Sequence, residues 1–445
     1  MFLLKTLFYT LGSIILLSSC GQAAPQQQAV QQHDTTIVAP PAISDDQLKH
    51  YGAATHHFFD SILSNGFNGG VIVAKNGQVV YEHYNGFKKL EHRTDSVDSH
   101  TAFHLASVSK TFTAMATLKL WQDGKLNIND EVSKYLTGFP IQGLTVKMLL
   151  SHRSGLLNYV HFMDQSGWDK KKYVTNQDIL QYIINHRTQV QGAPPGRRFE
   201  YSNTNYALLA LIIEKVSGES YSEYLSKTFF QPLQMSDTYV FNLSDLPTST
   251  ESYKRNGRPY RMEYLDVVYG DKNIFSTPRD LLKWDEALRS GNLFTKTTLD
   301  SAYMPYSFEK PGKRNYGLGW RMLLMPNGKK LIYHNGWWHG NRTAFVRLID
   351  EDATIIALSN NDYTRVYSSK KLADLFGNYE QSGESFDEND NEPVGRGGGE
   401  PAVQKTVVRK TTTHRTVHRK VAHRPTISHK HVATKHVVVK KKKKK

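Results

Sequence analysis

The chain has 445 residues, 39% of them hydrophobic and 22% charged, enough apolar material for a large core and too much for wholesale disorder. A formal net charge of +15 suggests a nucleic-acid binder until it is mapped: residues 401–445 hold eleven Lys, four Arg and no acid, and the remainder balances 41 basic against 41 acidic side chains. One cysteine excludes an intramolecular disulfide framework and a cysteine-rich metal site.

The first segment reads MFLLKTLFYTLGSIILLSSCGQ. Lys5 precedes an apolar run from Leu7 to Leu17, too short to span a bilayer of ~30 Å, which is the pattern of an export signal. Leu17-Ser18-Ser19-Cys20-Gly21 resembles a bacterial lipobox, so residues 1–19 are expected to be a lipoprotein signal peptide and Cys20 the lipidated residue. An ordinary signal peptide, or a buried helix with an incidental thiol, is the alternative. Each buried methylene of an acyl chain adds about 0.8 kcal/mol, so a diacylglyceryl anchor would hold permanently. Residues 20–55 are expected to be a tether, Gln-, Ala- and Pro-rich over its first half. Gly21 is not the acidic residue that retains lipoproteins at an inner membrane, which points to the cell envelope and an outer membrane facing the periplasm.

In residues 69–84, two β-rich runs meet at Lys75-Asn76-Gly77, and Asn-Gly is the strongest short hairpin signal. From Leu105 the pattern is helical, with Leu105, Val108, Phe112, Met115 and Ala116 on one face and Gly124 as the stop. The stretch from 125 to 300 holds further helical segments, the clearest from Asn205 to Ser217 with Gly218 ending it, another from Pro278 through Trp284 to Leu288. Strands return near 316–323, 330–335, 342–349 and 353–359, before a short helix near 367–376. A two-stranded hairpin is barely stable alone, so strands 69–84 should join the C-terminal strands in one antiparallel sheet. The predicted fold is α/β of the α+β type: an antiparallel sheet flanked by helices, with an all-α lobe inserted, over residues 56–377. An acidic, Gly-rich linker (378–400) then leads to the basic tail (401–445), where Lys, Arg and His alternate with Val and Thr and no helical period appears. That tail is either a solvated open chain or an adhesive for a polyanion such as lipid headgroups, lipopolysaccharide or wall polymer. It has no aromatic to stack on a base, so no specific nucleic-acid partner is expected, and its six His show no ligand-pair spacing for a metal.

A Ser three residues before a Lys on a helix sets hydroxyl and amine on one face, the arrangement a lysine-activated nucleophile needs. The pattern occurs three times, at Ser107/Lys110, Ser307/Lys310 and Ser368/Lys371. Pro305 and Pro311 bracket the second, and the third opens a polar terminal helix, so only Ser107 begins an apolar helix of the interior. Position within the fold selects it.

The segment Phe103-His104-Leu105-Ala106-Ser107-Val108-Ser109-Lys110-Thr111-Phe112 resembles the penicillin-recognising serine hydrolases, on the branch of class C β-lactamases, D-alanyl-D-alanine carboxypeptidases and related esterases. Leu149 to Leu156 (LLSHRSGL) resembles that family's structural turn, Pro195 to Asn203 (PGRRFEYSN) its second catalytic element, and His334-Asn335-Gly336 stands where class C enzymes have Lys-Thr-Gly. The resemblance covers about residues 56–377, with all the elements in register. It implies a nucleophile at Ser107, a proton acceptor at Lys110 and a second proton carrier at Tyr201. Asn203, His334, Gly336 and Trp337 would contact substrate, Asn203 also fixing Lys110, with the N–H groups of Ser107 and Trp337 as an oxyanion hole. Neither metal nor cofactor is implied. Read alone, Tyr201 is as well explained as a packed aromatic, and Tyr-x-Asn recurs at Tyr333/Asn335. His152 reads as structural, and Trp337, Trp338 and His339 either line a cleft or pack its wall.

The function expected is hydrolysis of an amide or ester through a Ser107 acyl-enzyme by an envelope D-amino-acid peptidase or esterase. A lysine at 334 would be a permanent cation for a substrate carboxylate, whereas a histidine of pKa ~6.5 is mostly neutral at pH 7, which weighs against a β-lactamase. If His334 reads charge, carboxylate-bearing substrates should lose rate above pH ~6.5. β-Lactamase activity, or a non-catalytic envelope-binding protein using the same fold and its tail, is the alternative.

Overall fold

A computed structural model of the chain describes residues 41–381, Thr94 excepted. The expected signal segment, Cys20, the acidic linker beyond residue 381 and the basic tail lie outside the described residues. The Asn-Gly hairpin forms where the sequence put it: β1 (Gly69–Lys75) and β2 (Gln78–Asn85) pair around Asn76 and Gly77. Their φ angles of 52° and 74° are the left-handed pair that a two-residue turn requires. Two short strands inside the chain, β3 (Phe103–His104) and β4 (Tyr239–Val240), both pair with β5 (Ile274–Ser276). The strands that follow are β6 (Arg314–Tyr316), β7 (Arg321–Leu324), β8 (Lys330–Trp338), β9 (Asn341–Leu348) and β10 (Ala353–Ser359).

The main sheet runs β2-β1-β10-β9-β8-β7-β6, antiparallel throughout. The N-terminal hairpin therefore does join the C-terminal strands, with Gly69 opposite Ser359 and Lys75 opposite Ala353. Side chains alternate between two cores, as a pleated strand requires. Ile72, Ala74, Ile356 and Leu358 face the larger core, built with the inserted helices. Val71, Val73, Ile355 and Ala357 face a smaller one with Phe59, Leu63 and Leu372.

That second face corrects the expected boundary between tether and body. Residues Asp45–Phe58 form helix α1, capped by Ser44, whose side chain accepts from the Gln47 N–H while Gln47 reaches back to the Ser44 N–H. Leu48, Tyr51 and Phe58 of α1 pack on the smaller core, so structure begins about ten residues before the expected limit at 56. A 3-10 helix, Thr364–Leu375, stands where a short helix was expected near 367–376 and covers the same face.

The inserted block is helical apart from β4 and β5. Its central helices are α2 (Ser109–Gln122) and Asn203–Ser217, which pack against each other. Every side chain from Ser109 to Leu118 and from Asn203 to Ile213 is buried, so both are enclosed all round rather than on one face. Gly124 (φ 71°) follows the first and Gly218 (φ 76°) caps the second, as expected of both.

Candidate active site

Three chain segments converge on Ser107. It lies in a 3-10 turn, Ala106–Val108, between β3 and α2, and Lys110 follows in the first turn of α2. Tyr201 sits in the loop just before helix Asn203–Ser217. Lys110 Nζ is 2.9 Å from Ser107 Oγ, and the Tyr201 hydroxyl is 3.1 Å from the same oxygen. A hydroxyl held between an amine and a phenol can lose a proton to one and have a leaving group supplied by the other. Ser107 and Tyr201 are partly exposed, whereas Lys110 is fully buried.

The sheet supplies the opposite wall. Gly336 on β8 is pressed against the nucleophile turn: a Cβ there would lie 2.2 Å from Thr343 Oγ1 and 2.3 Å from the Leu105 carbonyl. Only glycine lets the strand come that close. Thr343 Oγ1 donates to that same carbonyl at 2.7 Å, pinning the turn to β9. Trp337, next on β8 and opposite Arg342, is partly exposed, with the Arg342 guanidinium 4.2 Å above its ring.

Tyr201 is enclosed by π and cationic groups. The His152 ring stacks on it at 4.1 Å and 28°, and Lys110 Nζ and the Arg321 guanidinium lie 5.0 and 5.1 Å from its centroid. His152 takes a left-handed backbone (φ 54°), and its Nδ1 accepts from the Ser202 N–H at 3.2 Å and from Asn205 Nδ2 at 3.0 Å. Burial, then the Lys110 and Arg321 cations, push its pKa well below the usual histidine value. A neutral ring fixed in this way is a platform for Tyr201, consistent with the structural reading.

Two expectations are revised. Asn203 was to fix Lys110, yet Lys110 Nζ donates to the Asp271 carbonyl at 2.8 Å, and Asn203 Oδ1 is buried with no hydrogen-bond partner. His334 was to be weighed as a cation. Its ring is 0% exposed, with Nδ1 bonded to the Asn335 carbonyl at 2.7 Å and Nε2 facing the Tyr316 hydroxyl at 3.3 Å. Burial, with Arg321 and Lys110 nearby, holds its pKa well below 6.5. His334 is therefore a neutral, enclosed group rather than a standing cation.

The cation on that side is Arg321, which the sequence reading missed. It stands on β7 opposite Tyr333, one residue out of register with His334. Asn335 was quoted in its motif but given no role; it is 5% exposed and neither of its side-chain polar atoms has a hydrogen-bond partner. Among the described residues no group of three or more His, Cys, Asp or Glu could hold a metal ion. Of the rival Ser-x-x-Lys pairs, Ser307 is in a loop where its N–H donates to Asn315 Oδ1, and Ser368 is buried in the terminal 3-10 helix.

Comparison with known proteins places the chain in a family. Residues 48–376 match the beta-lactamase family model. A penicillin-binding protein of Bacillus subtilis (strain 168) is 33% identical over 322 residues, 69% of this chain and 71% of that one. Other curated relatives are spanned over 60–62% of their length. Two solved structures share the fold. D-amino acid amidase from Ochrobactrum anthropi SV3 has a TM-score of 0.60 at 22% identity, over 73% of this chain and 96% of that one. EstCE1, a hydrolase with promiscuous acyltransferase activity, has a TM-score of 0.63 at 19% identity, over 75% and 100%. Matched along most of its length, the chain belongs to the beta-lactamase family, and it is a serine hydrolase.

Proposed function

We propose that the protein hydrolyses an amide or ester bond through an acyl-enzyme on Ser107, acting as a D-amino-acid peptidase or esterase of the cell envelope. The observation that carries this is the placement of Ser107 Oγ within hydrogen-bond distance of both Lys110 Nζ and the Tyr201 hydroxyl. Ser107 Oγ attacks the carbonyl carbon as its proton passes to Lys110, and the carbonyl oxygen takes up the charge between the N–H groups of Ser107 and Trp337. Tyr201 protonates the departing amine or alcohol. A water then enters, gives a proton back through Tyr201 and releases the acid, with Ser107 restored. Asn203 Oδ1, buried without a partner, would accept a substrate N–H only once the cleft uncovers it, and a substrate carboxylate would meet Arg321 rather than His334. The amidase fold-relative supports the D-amino-acid reading and EstCE1 the broader one of acyl transfer.

A fluorescent fluorophosphonate tests the assignment. The wild-type chain should be labelled and Ser107→Ala should not, with an unchanged melting temperature, since losing one hydroxyl removes few packing contacts. Undiminished labelling of Ser107→Ala would refute it.

The envelope location rests on the sequence of residues 1–22, and the anchor is proposed at Cys20. Cys20→Ser should free the protein from the membrane fraction in high salt. Any attachment through the basic tail is screened over ~8 Å at physiological ionic strength. A cleaved variant retained at every salt concentration would rule out both attachments.

A further inference from the structure

The residue before the nucleophile has an unusual backbone. Ala106 has φ 50°, in the left-handed region that alanine seldom enters, while Leu105 before it and Ser109 beyond lie in the right-handed region. This single reversed residue ends β3 and directs Ser107 out of the strand.

The group that meets this turn is His104. Its Nδ1 accepts the Ala106 N–H at 3.0 Å. Its other nitrogen, Nε2, faces Asn273 Oδ1 at 2.9 Å, and Asn273 Nδ2 donates to the Asp266 and Val268 carbonyls, which fixes the amide oxygen toward the ring. Nε2 is therefore the donor and Nδ1 the bare acceptor. The edge of Phe275 closes the ring at 5.1 Å. Lys272 and His339 oppose a proton on this ring and Asp266 and Asn273 favour one, but burial dominates and holds the pKa down to about 4.

The same segment holds the rest of the machinery. Gly270 O accepts from Thr113, Asp271 O from Lys110 Nζ and Ile274 O from the Leu105 N–H, while the Ile274 N–H donates to Ser109 Oγ. Residues 270–274 thus form one template to which Lys110 is fastened directly and Ser107 through His104.

Resting on the reading of Ser107 as nucleophile, we propose that His104 is a positioning residue: its bare Nδ1 holds the left-handed turn at Ala106 that aims Ser107 Oγ between Lys110 and Tyr201.

Two near-isosteric variants separate the two ends of the ring. Asn places its oxygen where Nδ1 stands, so His104→Asn keeps an acceptor for Ala106 and gives up Asn273. Gln places its amide at the Nε2 end, so His104→Gln keeps Asn273 and gives up Ala106. The rate constant for fluorophosphonate labelling of Ser107 is measured in the full chain, with kcat and KM on a p-nitrophenyl ester. His104→Gln should slow labelling and kcat about 10–100-fold with little change in KM, the scale of a small misplacement of a reacting group. His104→Asn should stay within about threefold of wild type. Equal rates for wild type and His104→Gln, or equal losses in the two variants, would overturn the proposal while leaving Ser107 in place. A wild type that is not labelled at all would instead remove the reading of Ser107, and this inference with it. Should neither variant fold, isotope-labelled histidine in the wild type decides by NMR: His104 carrying its proton on Nε2 supports the proposal, and on Nδ1 refutes it.

Discussion

At the scale of single residues, the site separates charge from position. His334 occupies the place where class C enzymes have a lysine, burial keeps its ring neutral, and the cations beside Tyr201 are Lys110 and Arg321. A group whose pKa is held well below 6.5 does not titrate between pH 6 and 8. The ratio of kcat/KM for a carboxylate-bearing substrate to that for its neutral ester should therefore be level across this range. A histidine acting as the cation would make the ratio fall above pH ~6.5. Arg321→Gln should lower the ratio about tenfold, the worth of an ion pair in a partly solvated site. A ratio that declines with pH in the wild type and is untouched by Arg321→Gln would return the role to His334. Arg321 had no local signature to betray it: one arginine on a four-residue strand reads as a solvated edge until β7 is seen to lie beside β8.

Among elements, β8 bears on the nucleophile turn through Gly336, and the fit leaves no room for a side chain. Gly336→Ala would force its Cβ into Thr343 Oγ1 and the Leu105 carbonyl, a backbone atom that cannot swing aside. It should cost about 1–3 kcal/mol of stability, read as a lower urea midpoint, and slow acylation as the turn is pushed from Lys110 and Tyr201. A variant with wild-type midpoint and labelling rate would show that the strand gives way freely. The elements most legible in the sequence were those with strong local chemistry: the Asn76-Gly77 turn, the Gly218 stop and the Ser107/Lys110 pair. Helix α1 carried a local signal too, the Ser44…Gln47 capping box, but its mixed polar composition resembled the tether before it. Strands β3, β4 and β5 are two or three residues long and too short to show a period. The enclosure that holds His334 well below the ordinary histidine value was not legible, because it comes from neighbours distant in the chain.

At the scale of the whole molecule, three buried histidines among the described residues contribute to the response to acid. His104, His152 and His334 all have folded pKa values below the ~6.5 of an unfolded chain, by burial first. Above pH 6.5 both states leave them neutral and the folded state keeps its full advantage. As pH falls below 6.5 the unfolded chain takes up protons that the folded one refuses, so stability is lost progressively. For His104 the loss is complete near its folded value of about 4 and amounts to roughly 3 kcal/mol. Urea midpoints should be level between pH 8 and 7 and fall from 6.5 to 4.5, with a slope that reaches up to about three protons. Midpoints independent of pH down to 5 would contradict the buried, neutral state of these rings.

The closing of the sheet also fixes when the protein can exist. Strand β1 finds its second partner only in β10, with the whole helical block and the strands β6 to β9 between them. A ribosome therefore delivers the hairpin first and its partner last, and until residue 359 emerges β1 has one open, apolar edge. Such distant pairing raises contact order, which slows folding and prolongs the exposure of a sticky strand. Chains cut short before β10 would leave β1 with an unpaired edge and both cores without what β10 adds, Ile356 and Leu358 to the larger and Ile355 and Ala357 to the smaller.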